Sequence, residues 1–150
     1  MKVLVDTGVW SLAFRRNKLG ADERTIVQQL QTLILDGDAC MTGVIRQEIL
    51  SGIKHPQQYD KLKEKLRAFD DLIVTQQDHE RAAAMFNTCR SKGVQGSHID
   101  FLICAIAYHA DVLIFAVDGD FEQYAPHIPI KLYPVGGTLN RIHEIQGHYA

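Results

Sequence analysis

The sequence predicts an α/β sandwich built around a mostly parallel sheet, and three observations predict it. Val3-Leu4-Val5 and the run over 112–117 are apolar without polar alternation, the pattern of strands buried on both faces. Between such runs lie stretches with apolar residues at helical spacing, so strands and helices alternate along the chain. One stretch, 97–109, is apolar nearly all round, which places a helix in the middle of a domain. The 150 residues suffice for one domain, which buries roughly 70% of its unfolded surface without covalent staples.

In chain order, residues 2–5 make the first strand, and Thr7-Gly8 turn into a short helix over 9–14. Arg15 to Gly20 read as a basic loop. Asp22 is expected to cap a helix that buries Ile26, Val27, Leu30, Leu33 and Ile34 and stops at Gly37. A second strand over 39–42 leads to a helix over 44–53 that carries Glu48. A charged helix over 56–69 follows, read as a solvated face with Lys/Glu pairing. A third strand is expected over 72–75, and then a helix with Ala82, Met85 and Cys89 on its inner stripe, stopped by Gly93. After the central helix come a strong strand over 111–117, a turn at Asp118-Gly119-Asp120, a helical turn over 121–124 and a last strand over 130–133. The domain is expected over 1–135, with a polar tail over 136–150 that includes His143, His148 and Tyr149.

Composition removes several function classes. The net charge of -2 supplies no global basic field for nucleic acid, so any such contact rests on local clusters or bound metal. Cys40, Cys89 and Cys104 sit among apolar neighbours without CxxC spacing, and read as reduced core residues of a cytoplasmic protein. Lys2 to Val5 run straight into Asp6, so no secretory leader is expected, and no apolar run is long enough to span a membrane. The seven histidines lack HxxxH or HExxH spacing, and neither GxGxxG nor GxxxxGK[ST] occurs.

Four acids stand out because their neighbours are apolar. Asp6 follows Val3-Leu4-Val5, Glu48 precedes Ile49-Leu50, Asp100 lies between Ile99 and Phe101, and Asp118 follows 113–117. Asp6 and Asp118 each fall just past the carboxyl end of an expected strand, where parallel sheets bind ligands. Buried carboxylates need cations or donors, and no Lys or Arg adjoins Asp6, Asp100 or Asp118. A divalent cation relieves the repulsion of converging acids, and oxygen ligands favour Mg²⁺ or Mn²⁺. Such a site suits phosphodiester hydrolysis. Each residue also has a plainer reading. Asp6 caps a turn, Ser97 and Asp100 form a capping box, Glu48 is a solvated helix residue, and Asp118 and Asp120 flank a turn glycine. Thr7 supports Asp6 or only makes the turn. Ser97 binds near Asp100 or only caps. Arg15, Arg16 and Lys18 hold an RNA backbone or form a solvated loop, and His98 reaches a phosphate or lies idle at a helix start.

With those residues in place, the sequence resembles the PIN-domain ribonucleases, and among them the toxins of VapBC-type toxin–antitoxin pairs. The carrying features are Val3-Leu4-Val5-Asp6-Thr7-Gly8-Val9-Trp10, Glu48 in Glu48-Ile49-Leu50-Ser51-Gly52, Asp100 in Asp100-Phe101-Leu102-Ile103-Cys104-Ala105, and Asp118-Gly119-Asp120-Phe121. The resemblance implies a three-layer α/β/α sandwich with five parallel strands and a Mg²⁺- or Mn²⁺-dependent endoribonuclease leaving a 5′-phosphate and a 3′-hydroxyl. By matching position, Asp6, Glu48, Asp100 and Asp118 would be the acidic set, with Asp120 an assisting acid at the metal. It further implies a homodimer, an RNA substrate and a cognate antitoxin covering the site. Two positions depart from the pattern: Gly8 stands where relatives often carry Ser or Asn, and Cys104 replaces a small residue. The alternatives are an aspartate-based phosphatase or phosphotransferase using Asp118-Gly119-Asp120, and a non-catalytic RNA-binding or partner-binding module. The first lacks the Thr or Val wanted two residues after Asp120, where Glu122 stands.

Overall fold

A computed structural model describes residues 1–15 and 18–136; Arg16 and the tail from 137 onward, with His143, His148 and Tyr149, lie outside the described residues. Three parallel strands, β1 (Val3–Val5), β2 (Ala39–Cys40) and β3 (Leu113–Phe115), form a sheet in the order β2-β1-β3. Among the described residues seven helices surround it: α1 (Thr7–Ala13), α2 (Ala21–Leu35), α3 (Gly43–Leu50), α4 (Pro56–Leu66), α5 (Gln76–Ser91), α6 (His98–Ala110) and α7 (Asp120–Tyr124). The expected α/β class, with parallel strands alternating with helices, is the observed one.

The central strand explains the arrangement. Val3, Leu4 and Val5 are all buried, so β1 has helices on both faces, as its unbroken apolar run requires. The core continues through α6, where Phe101, Ile103, Cys104, Ala105, Ile106 and Ala107 are buried. The three cysteines are free and buried, and burial pushes their thiols up in pKa, which suits packing rather than chemistry.

The sheet is narrower than the five strands expected. The runs over 72–75 and 130–133 each join it through a single parallel bridge, Met41 to Asp71 and Ile114 to Leu132. Ile73 is 80% exposed, so the first run leaves the sheet directly after the Leu72 N–H bonds the Met41 carbonyl at 2.9 Å. The second run lies between Pro129 and Pro134, which have no N–H to extend a ladder. The strand expected over 111–117 is also shorter. Asp111 adopts a left-handed conformation, φ 53°, at the end of α6, and the Val112 N–H bonds Ala107 O at 3.0 Å. Two residues of that apolar run therefore terminate the helix.

Helix ends differ in similar ways. Asp22 does not cap α2: Gly20 is the N-cap, and the Glu23 carboxylate accepts the Gly20 N–H at 3.1 Å. Gly37 and Gly93 follow their helices with φ of 74° and 78°, as read from sequence. The helix over 56–69 stops at Leu66 because Arg46 of α3 takes the last carbonyls. Its guanidinium donates to Leu66 O at 2.9 Å, to Phe69 O, and to Asp71 at 2.8 Å. This clamp fixes α3, and with it Glu48 two residues further on, against the end of α4.

Candidate active site

The site begins where β1 ends. The Asp6 N–H donates to Phe115 O at 2.9 Å, and its carbonyl accepts from Val9 and Trp10 as α1 starts. The Trp10 indole N–H reaches back to Val5 O at 3.0 Å, locking the first turn beneath the strand. Asp6 is thereby held rigidly at the strand–helix junction and is only 7% exposed. Its side chain does not cap α1, so the turn-capping reading of Asp6 is not realised.

Around Asp6 stand acids from three other elements. Burial pushes the Asp6 carboxyl up to about 7; the Thr7 backbone amide pulls it down, and Asp118, Asp100 and Glu48 raise it further. Asp100, on α6, is half-buried and raised first by burial, against the Tyr124 and Ser97 hydrogen bonds, and then by Asp118 and Asp120. Asp6 thus lies in the field of Asp118, Asp100 and Glu48, and Asp100 in that of Asp118 and Asp120. No cation pairs with Asp6, Asp100 or Asp118 among the described residues.

The supporting bonds are partly those expected. Ser97 Oγ accepts the Asp100 N–H at 3.0 Å, so it caps α6. The return half of a capping box is replaced: the Tyr124 hydroxyl donates to Asp100 Oδ2 at 2.7 Å. Thr7 Oγ1 donates to Glu48 Oε1 at 3.0 Å rather than to Asp6, tying α1 to α3. The Asp120 N–H donates to Asp118 Oδ1 at 3.2 Å, so Asp118 makes the turn and faces the cluster at once. His98 stacks on Phe86 with ring centroids 4.9 Å apart. Arg15 pairs with Glu23 at 2.8 Å, away from the acids, and Arg16 lies outside the described residues.

Tyr124 escaped the sequence reading. It is buried, stacks near Phe101 and Phe121, and burial and Asp100 push its phenol well above the ordinary value, so it stays a donor. A Cβ on Gly96 would collide with the Tyr124 hydroxyl, so the absence of a side chain at Gly96 gives this tyrosine its place. Nothing in a single sequence links Tyr124 to an acid 24 positions away. Gly8 also gains a reason: a Cβ there would stand 3.0 Å from Val117 Cγ2, so the Ser or Asn of the resembling pattern has little room.

As placed, no three His, Cys, Asp or Glu side chains among the described residues stand close enough to ligate one ion. The donor set nevertheless suits a hard divalent cation: it is all oxygen, and its buried member, Asp6, has no cationic partner. Asp100 and Asp118 each have one carboxylate oxygen engaged, by the Tyr124 hydroxyl and by the Asp120 amide. Among the described residues no helix is long and apolar enough to cross a membrane.

Comparison with known proteins agrees with this fold. The family model described as PIN domain matches residues 3–126. No curated protein sequence matches the chain significantly. Among solved structures, VapBC2 from Rickettsia felis bound to a DNA fragment from its promoter is 14% identical. The alignment covers 89% of this chain and 98% of that one, with a TM-score of 0.70. VapBC-1 from nontypeable Haemophilus influenzae is 15% identical over 89% and 97%, with a TM-score of 0.66. FitAcB from Neisseria gonorrhoeae is 18% identical over 87% and 96%, with a TM-score of 0.61.

Proposed function

From the premise that this chain belongs to the PIN domain family, whose members are in general nucleases that use divalent metal ions, we propose that it is a Mg²⁺- or Mn²⁺-dependent endoribonuclease. The observation that carries the reading is Asp6: buried, rigidly held, without a cation, and facing acids from α3, α6 and the β3–α7 turn. Asp6, Asp100 and Asp118, with Asp120 beside them, would hold the ion. Bound there, it supplies charge stabilisation for the phosphoryl oxygens and cancels the mutual repulsion of the acids.

The chain's own residues do the rest. Thr7 holds Glu48 by one carboxylate oxygen, which orients it to accept a proton from an attacking water. Tyr124 and Ser97 hold Asp100 in place, and their hydrogen bonds oppose the rise that burial imposes on its carboxyl. Arg15, Arg16, Thr7 and Ser97 are the proposed contacts to RNA. The products would be a 5′-phosphate and a 3′-hydroxyl.

One solved structure similar in fold is a toxin–antitoxin complex from Klebsiella pneumoniae, and two others are VapBC assemblies. We extend this to a toxin role for the chain, inhibiting translation by RNA cleavage in the cytoplasm, as a homodimer and with a partner antitoxin that covers the acids. A small DNA-binding protein encoded beside this gene supports that part, and its absence counts against it.

The enzymatic reading is tested with Asp6→Asn and Asp100→Asn. Each is expected to abolish Mg²⁺-dependent cleavage of RNA while circular dichroism reports an intact fold. Full activity in both variants sinks the site. A covalent aspartyl-phosphate with no cleavage supports the phosphotransferase alternative. RNA binding without metal-dependent turnover supports a non-catalytic module.

A further inference from the structure

Helix α4 is not evenly paired. Lys63 pairs with Asp60 at 3.7 Å and Arg67 with Glu64 at 3.6 Å. Lys61 and Lys65, four residues apart and so on one face, pair with no acid among the described residues. Both border a groove of about 570 Å³ between the end of α1 and α4. Its other walls include Phe14, Arg15, Ile53 and Gln57, and no aspartate or glutamate lines it. On a chain of net charge -2, the two unpaired lysines make a local field of the opposite sign, whereas Arg15 on the groove wall is already paired with Glu23. Phe14 stacks on Trp10 and is 37% exposed, so part of its side chain is accessible to a base.

The groove adjoins the acids. The seven-residue α1 spans about 10 Å, and runs from Thr7, bonded to Glu48, to Ala13 on the groove wall. Ile53 on the opposite wall follows Glu48 by five positions. A short strand with its scissile bond at Asp6 would therefore reach the groove.

We propose that this groove carries the phosphate backbone of the RNA substrate, with Lys61 and Lys65 as its phosphate contacts and Phe14 as a stacking platform. The proposal rests on the nuclease reading above, and its test separates the two. Lys61→Gln/Lys65→Gln is compared with Lys63→Gln/Arg67→Gln, which removes the same charge from the paired side of α4. Binding of a fluorescent single-stranded oligoribonucleotide is measured against salt in the Asp6→Asn background, and cleavage is measured with Asp6 intact. The first pair is expected to raise KM roughly tenfold, as two exposed ion pairs allow, with kcat retained. It should also lower the slope of log affinity against log salt by about 1.4, two contacts at about 0.7 each. The second pair should change neither.

An unchanged KM and salt slope in Lys61→Gln/Lys65→Gln overturns the groove while cleavage by the intact chain keeps the nuclease reading. Equal effects of the two pairs also overturn it, because net charge alone then accounts for binding. Binding of an acidic peptide that responds to these lysines while RNA binding does not overturns it in favour of a protein partner. If no RNA is cleaved but the salt slope falls as expected, the groove stands and the nuclease reading falls.

Discussion

Two aspartates of this chain are almost completely buried, and they behave in opposite ways. Asp78 is 2% exposed and Asp6 is 7% exposed. Asp78 sits at the start of α5, where its carboxylate accepts the Thr75 N–H at 2.8 Å and Thr75 Oγ1 accepts the Asp78 N–H at 3.2 Å. His109, at the end of α6, approaches it at 2.9 Å. Burial pushes the Asp78 carboxyl up, yet the Thr75 amide and the His109 and Thr75 side chains together hold it below the ordinary value. Asp6 has no comparable set of donors, and its neighbours are acids, so it rises to about 7. Burial alone therefore does not mark a functional acid; the character of its partners does. Asp78 joins α5 to α6, whereas Asp6 is left for a cation from solution.

The largest expected effect is on stability at Asp6. Its folded pKa of about 7 lies above the ordinary 3.8. The folded chain therefore keeps a proton that the unfolded chain loses, and stability falls as pH rises between those values and stays low above them. In the metal-free protein at pH 8, Asp6→Asn should raise stability by at most about 4 kcal/mol, three pKa units at about 1.36 kcal/mol each. Denaturant unfolding at pH 5 and pH 8 checks this: the gain should be smaller at pH 5.

Asp78→Ala should act in the other direction. Losing the capping box and the buried partner of His109 costs about 1–3 kcal/mol, read by thermal unfolding, with RNA cleavage below Tm unchanged. Because its folded pKa is depressed, the stability that Asp78 contributes is present above the unfolded pKa and is lost as pH falls through the lower folded value. The wild type should lose that share only in strong acid. An Asp78→Ala variant as inactive as Asp6→Asn breaks the distinction between the two acids.

Tyr124→Phe is expected to show itself less in stability than in the pH dependence of cleavage. Removing one hydrogen bond to a charged group costs about 1.5–3 kcal/mol at most, and Asp100 loses a group that lowers its pKa. The acid limb of the pH–rate profile should therefore move to higher pH, with activity recovering as pH rises. An unmoved profile shows that Tyr124 only packs.

The α/β class and the parallel sheet were readable because β1 and α6 carry patterns that fit few other environments. Val3 to Val5 are wholly apolar, and α6 is apolar on nearly every side. The edges were less readable: Pro129 and Pro134 stood in the sequence as a signal against a full strand over 130–133, whereas the exposure of Ile73 is decided only by the fold. At the site, apolar neighbours singled out Asp6, Glu48, Asp100 and Asp118, and the structure sets the last three in the field of Asp6, with Asp120 near Asp100. The same criterion passed over Asp78, whose polar neighbours Gln76, Gln77 and His79 hide the more deeply buried carboxylate. Tyr124 and the bond of Thr7 to Glu48 join residues far apart in sequence, so only the fold reveals them.

The most direct test of the central claim is a Mg²⁺ titration followed by Tm at pH 8, for the wild type, Asp6→Asn and Asp78→Ala. If Asp6 awaits a cation, the wild type rises in Tm with Mg²⁺, and Asp78→Ala rises in parallel from a lower start. Asp6→Asn should begin higher than the wild type and respond little. An Asp6→Asn chain that responds to Mg²⁺ as the wild type does contradicts the account.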